Sequence, residues 1–129
     1  VGILAVIANG WYQSFVREAN RADAQTALLA LANAQEKSFI ANNGYTDLTA
    51  SIPAMITVTS TAGQGIIYQV GTQFFSPGGH YTLALTNDGN ANTHTVTATA
   101  ASASQLADTG CTAITINETN QRSPERCWR

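Results

Sequence analysis

The chain opens on an unbroken apolar run, Val1-Gly2-Ile3-Leu4-Ala5-Val6-Ile7-Ala8, with no polar side chain in it. Asn9-Gly10 interrupts the run, and Trp11, Tyr12 and Phe15 follow as an aromatic collar. From Gln13 the pattern becomes amphipathic. Arg17, Glu18, Arg21 and Asp23 form a polar stretch, after which Ala24, Ala27, Leu28, Leu31 and Ala34 recur at helical spacing. Residues 1–42 contain no proline, so one long helix is predicted over them. Glu18 and Arg21 stand three apart on it and are expected to pair. Asn42-Asn43-Gly44 is a stop signal, because Asn and Gly tolerate the left-handed conformation that closes a helix.

A helix of this length is on the order of 60 Å long at ~1.5 Å per residue, more than the rest of the chain can cover. One end is therefore expected to project and to find a partner. The chain also begins inside the apolar run, which predicts that part of the run lies upstream. Residues 1–8 are far short of the ~20 apolar residues that cross a bilayer, but they suit the last turns of such a segment. Aromatic residues at the edge of an apolar helix suit a membrane–water interface; packing against neighbouring helices is the plainer use of the same rings.

Beyond the helix the period changes. Residues 45–79 are punctuated by Asp47, Ser51 and Pro53, with a short strand expected within residues 54–59. Gly63-Gln64-Gly65 reads as a turn before Ile66-Ile67-Tyr68-Gln69-Val70, and Ser76-Pro77-Gly78-Gly79 as another. Tyr81-Thr82-Leu83-Ala84-Leu85-Thr86 and residues 93–99 alternate apolar and polar positions around an Asn/Asp/Gly-rich loop, which predicts a β-hairpin. Residues 112–117 add a further strand, and residues 121–129 read as a polar tail. One helix followed by an antiparallel sheet is an α+β arrangement in which the Leu28/Leu31 stripe covers one sheet face.

Charge narrows the chemistry. Six Lys/Arg against eight Asp/Glu give a net charge of −2, with no basic excess for a nucleic-acid backbone. Cys111 and Cys127 lie close together without CxxC spacing or a nearby histidine, too few ligands for a metal site. A disulfide is the better reading and places the chain in an oxidising compartment; two free buried thiols are the alternative. His80 and His94, among threonines, are expected to be exposed strand histidines, and no nucleophile motif, HExxH or phosphate loop accompanies them. Asp88, Glu118 and Glu125 read as solvated loop charges, and Asn117-Glu118-Thr119 as a chance glycosylation sequon. Neither catalytic residues nor a metal or other cofactor are assigned.

The order of these elements resembles the type IV pilin family, in particular PilE-like pilins. The opening run looks like the second half of the pilin N-terminal helix. Tyr12-Gln13-Ser14-Phe15-Val16-Arg17 and Arg21-Ala22-Asp23-Ala24-Gln25 resemble segments that follow it, and Asn42-Asn43-Gly44-Tyr45-Thr46-Asp47-Leu48 the helix-to-loop junction. Cys111-Thr112-Ala113-Ile114-Thr115-Ile116-Asn117 with Cys127-Trp128-Arg129 is similar to the family's last strand and disulfide. By the resemblance, the leader peptide and the start of the helix, including the acidic residue that neutralises a neighbour's N-terminal amine, are expected to lie upstream of Val1. Many pilins also carry a proline where this chain has Asn9-Gly10.

The resemblance implies a pilin fold, a long N-terminal helix packed on an antiparallel sheet with a C-terminal disulfide-bounded loop. It implies residues 1–23 as the projecting half of the helix and 24–129 as the head. The implied function is a structural subunit of a type IV pilus, in a filament that serves adhesion, motility or DNA uptake. Val1, Gly2, Ile3, Leu4, Ala5, Val6, Ile7, Ala8, Trp11, Tyr12 and Phe15 would form the filament core, and the helix would melt between Gly2 and Asn9-Gly10. The regions around Gly44 to Gly65 and the Cys111 to Cys127 loop would make lateral contacts. Partners would be copies of the chain or other pilins, and the inner membrane before assembly. A minor tip or priming pilin and a type II secretion pseudopilin are the alternatives; Asp108 and Glu118 do not make the calcium shell that pseudopilins use. A DNA-capturing pilin would rely on Arg122, Arg126 and Arg129, a small cluster beside the disulfide.

Overall fold

A computed structural model describes residues 2–45, 52–60, 65–87 and 92–128, with the backbone alone for residues 2–11, 54 and 55. The predicted helix forms as α1 (Gly2–Asn42), unbroken through Asn9 and Gly10. It stops where Asn43 takes φ +59°, and the Asn43 amide bonds back to the Phe39 carbonyl at 2.8 Å. An asparagine in the left-handed region cannot continue the helix, so the chain turns toward the sheet.

Among the described residues seven strands follow in chain order across one sheet: β1 (Val58–Thr59), β2 (Ile67–Val70), β3 (Gln73–Phe75), β4 (Tyr81–Thr86), β5 (Thr95–Ala100), β6 (Ala113–Asn117) and β7 (Arg122–Ser123). Neighbours are antiparallel except for the parallel pair of β1 and β2. Short helices α2 (Ile52–Met55) and α3 (Ala103–Leu106) lie in the connections, and a 3-10 turn (Glu125–Trp128) ends the described chain. The strand expected within residues 54–59 thus shrinks to Val58–Thr59, because Ile52-Pro53-Ala54-Met55 makes a helical turn first. Within the polar tail that the cysteine bridge holds back, residues 122–123 form β7, which pairs Ser123 with Thr115 and Arg122 with Ile116. The turn at Gly63-Gln64 and the loop around Asp88 lie outside the described residues.

Period-two alternation decides which side chains meet the helix. Register pairs Leu83 with Ala98, Leu85 with Val96, Val96 with Ile116 and Ala98 with Ile114, and all of these are buried. Ala24, Ala27, Leu28 and Leu31 of α1 are fully buried against them. Small Ala24 and Ala27 let the helix approach, and each leucine contributes about 1.5–3 kcal/mol by leaving water. The opposite face carries the cross-strand pairs Thr82–Thr99, Thr86–Thr95 and Thr97–Thr115, β-branched hydroxyls that suit a solvated sheet surface.

Candidate functional site

Two regions of the fold present unsatisfied surface, the lower part of α1 and the disulfide-bounded end, and a polar network ties them together. The network starts where α1 meets the head. Gln105, fully buried on α3, accepts a bond from the Asn20 amide at 2.9 Å. It donates to the Tyr81 hydroxyl at 2.8 Å and to the Arg17 carbonyl at 3.4 Å. The Tyr81 hydroxyl donates in turn to the Cys111 carbonyl at 3.4 Å. Burial pushes the Tyr81 phenol above its ordinary range, so the ring stays neutral and free to donate.

Arg21 forks onto Asp108, Nε to Oδ2 at 2.6 Å and an Nη to Oδ1 at 2.7 Å. This corrects the expected Glu18–Arg21 pair: Glu18 is exposed and adds only a field, while the hydrogen bonds of Asp108 raise the guanidinium pKa above its already high ordinary value. A two-point match to a carboxylate is geometrically better than a helix-surface contact. Asp23 Oδ2 accepts the Gly78 amide at 2.6 Å, and the Gln25 amide donates to the Cys127 carbonyl at 2.6 Å. Successive turns of α1 are thereby fastened to β4's leading loop, to α3 and to the disulfide.

Below this seam the helix is open. Tyr12 and Phe15 are 66% and 70% exposed, and Leu106 on α3 is 59% exposed. Between the two helices runs a groove of about 320 Å³, lined by Tyr12, Gln13, Val16 and Arg17 on one side and Ala103, Ser104 and Ala107 on the other. Arg17 Nε is buried there with no hydrogen-bond partner. A buried donor without an acceptor costs about 1–3 kcal/mol, so the groove is complementary to an apolar element that brings an acceptor. Of the residues assigned to the filament core by resemblance, Val1 lies outside the described residues; Gly2, Ile3, Leu4, Ala5, Val6, Ile7, Ala8 and Trp11, like Asn9 and Gly10, are described as helical backbone only. Among the described residues no helix is long and apolar enough to cross a membrane.

At the other region Cys111 and Cys127 are joined, with Cα atoms 5.8 Å apart, and both are buried. The bridge pins the 3-10 turn under β7. Arg122 lies over the Trp128 ring at 5.1 Å from its centroid, a cation–π contact that holds the guanidinium in place. Asn120, Gln121, Arg122, Ser123, Glu125 and Trp128 surround an open pocket of about 620 Å³. Arg126 packs directly over Gly110, whose φ of +86° and missing Cβ make room for the guanidinium. Arg122 and Arg126 are both exposed; Arg129 lies outside the described residues.

Sequence reasoning missed β7, the 3-10 turn and the Asn20–Gln105–Tyr81 chain, and it misplaced His94. That histidine is 1% exposed rather than on the surface. Its parity with Val96 and Ala98 on the buried face was the available signal. His80, half-buried, shares a hydrogen bond with Ser102 at 3.0 Å.

Comparison with known proteins agrees with this architecture. Residues 11–115 match the family described as "Type IV minor pilin ComP, DNA uptake sequence receptor". Among curated proteins no sequence match is found. The solved structure of a type IV pilin from Shewanella oneidensis is similar at TM-score 0.55 and 18% identity, over 88% of this chain and 98% of that one; at that identity it speaks for the fold. Type IV pilins are extracellular pilus components that assemble with other pilins, and their family and fold are structural. Matched over most of its length and folded as a pilin, the chain belongs to the type IV minor pilin ComP family and is a structural subunit of a type IV pilus.

Proposed function

We propose that this subunit enters its filament by the stretch of α1 up to Phe15, with the groove beside Arg17 receiving the α1 of a neighbouring pilin. One observation carries this reading: about 22 Å of helix, residues 2–16 at ~1.5 Å each, precede the Arg17 carbonyl, which among the described side chains makes the first hydrogen bond from α1 to the head. The apolar positions 1–8 and the collar of Trp11, Tyr12 and Phe15 then pack on equivalent helices. Gly2 and Ala5 allow close approach, and Gly2, Asn9 and Gly10 are the weak steps where helix gives way, glycine costing about 1 kcal/mol against alanine. Before assembly the same stretch sits in the inner membrane with the aromatic collar at its surface. A photocrosslinking amino acid at Ser104, in intact filaments, is expected to yield an adduct with a second pilin, whereas one at Thr97 on the outer sheet face is not. Filaments that contain the chain but give no adduct from position 104 would remove the groove from the contact.

A second reading is favoured by the family's description as a DNA uptake sequence receptor and by the arginines of the disulfide-bounded end. Of six Lys/Arg in the chain, Arg122, Arg126 and Arg129 fall in its last residues. Arg122 is positioned by Trp128 and Arg126 by Gly110, so the guanidiniums are presented rather than free to wander. As a minor subunit the chain would offer this end to duplex DNA, with an overall charge of −2 keeping the affinity low and salt-sensitive. Binding of duplex DNA at low salt is expected to weaken in an Arg122→Gln/Arg126→Gln variant. The log–log salt slope should fall by about 2, one unit for each phosphate that is no longer neutralised. An absence of binding by the unmodified protein at low salt would dispose of this reading.

A further inference from the structure

The His94 cluster lies at the opposite end of α1 from the groove, and neither assembly nor DNA capture uses it. Both ring nitrogens of His94 are buried and without a hydrogen-bond partner. Tyr45, the last described residue after α1, packs its ring edge-on against the imidazole with centroids 4.5 Å apart. Its hydroxyl donates to Glu36 Oε1 at 3.0 Å, and the same oxygen lies 3.7 Å from His94 Nε2. Glu118, in the turn after β6, accepts the His94 backbone amide at 3.1 Å, while its own amide donates to the His94 carbonyl at 3.2 Å. Among the described residues the groups facing the imidazole are therefore Glu36 from α1, Glu118 from the turn after β6, and Tyr45.

We propose that His94, Glu36 and Tyr45 form an acid-sensitive latch, which clasps the chain leaving α1 onto the head at neutral pH and releases it in mild acid. The geometry gives one carboxylate oxygen two competing donors. With the imidazole neutral, Glu36 is held by the Tyr45 hydroxyl. Once a proton is on Nε2, the imidazolium is a full cation 3.7 Å from that oxygen and draws the carboxylate away from the hydroxyl. Tyr45 then loses its hydrogen bond, and the ring packed on it becomes a cation in an apolar setting. Glu36 is half exposed, 51% of its side chain, so it can swing between the two donors.

Burial holds the His94 pKa below its ordinary value of 6.5, against the opposing pull of Glu36 and then Glu118. A histidine with a depressed folded pKa stabilises the fold fully above the unfolded value, and that contribution is lost as pH falls through the folded pKa. Release is therefore expected below pH 6.5 and not above it.

The test is amide hydrogen exchange at Asn43, whose N–H bonds to the Phe39 carbonyl beside the latch. It is read on the full chain between pH 7.5 and 4.5 and corrected for intrinsic exchange. Protection is expected to fall below pH 6.5, by up to about tenfold per pH unit, the limit for a single proton. In a Glu36→Gln variant, which alters a half-exposed side chain and leaves the core intact, the fall should start at the same pH but run on to lower pH, since losing a charge that favours the imidazolium lowers only the folded-state pKa. A His94→Gln variant should lose the acid step. Unchanged protection down to pH 4.5, a fall that Glu36→Gln does not extend to lower pH, or the same step in a folded His94→Gln protein would each overturn the latch.

Discussion

Replacing Asp108 by alanine is expected to lower the unfolding free energy by about 2–3 kcal/mol. Asp108 is nearly enclosed and holds both arms of the Arg21 fork, so its loss leaves a cation with 22% of its side chain exposed and no hydrogen-bonded counter-charge. That partial exposure lets the guanidinium turn toward water, which keeps the cost below the ~3–5 kcal/mol of a fully enclosed pair. The damage also spreads, because Asn20 and Gln105 are bonded one step away on the same seam. Urea unfolding should show a lower midpoint with an unchanged slope. An Arg21→Met/Asp108→Leu double variant should recover most of the loss, since apolar side chains remove the unpaired charge together with the pair. If the single variant loses less than about 0.5 kcal/mol, the range of an exposed ion pair, then the seam does not fasten the helix.

Removing the Cys111–Cys127 bridge, as Cys111→Ser/Cys127→Ser, is expected to cost about 3 kcal/mol. The two cysteines are 16 residues apart, and in the chain-entropy account a loop of this length loses about that much freedom in the unfolded chain. Native interactions add to the effect: the Cys127 carbonyl accepts from Gln25 and the Cys111 carbonyl from Tyr81. With the bridge open, the short β7 pairing and the 3-10 turn have little else to hold them, and Arg122 and Arg126 lose their fixed positions. The expected result is a lower urea midpoint together with a solvent-shifted Trp128 emission. A variant within about 1 kcal/mol of the parent would mean that strand pairing alone keeps this end folded.

Much of the architecture was legible because its signals are local. The α1 stripe at Ala24, Ala27, Leu28 and Leu31 and the stop at Asn43 follow from one turn of chain, and the β4–β5 hairpin from period-two alternation over short segments. β3 and β7 were not legible. Gln73-Phe74-Phe75 and Arg122-Ser123 are too short to show a period, and they become strands only because a neighbour offers them a ladder. The candidate site was half visible. Tyr12 and Phe15 stood out as aromatics after an apolar run, while the groove that Tyr12 lines with α3 depends on where residues 103–107 come to rest. His94 was misjudged from its threonine neighbours, although its parity with Val96 pointed inward.

By itself, then, the sequence determined a long helix with an apolar start and a defined end, an antiparallel hairpin and a disulfide-bounded C-terminus, because periodicity and turn chemistry act between residues a few positions apart. Only the tertiary structure decided that Arg21 pairs with Asp108 rather than Glu18, that Gln105 links Asn20 to Tyr81, and that His94 is enclosed beside Glu36. Those partners lie up to 87 positions apart. No local pattern encodes such a meeting; it follows from the packing of α1 across the sheet, which brings distant polar groups together in a space where each must find a partner.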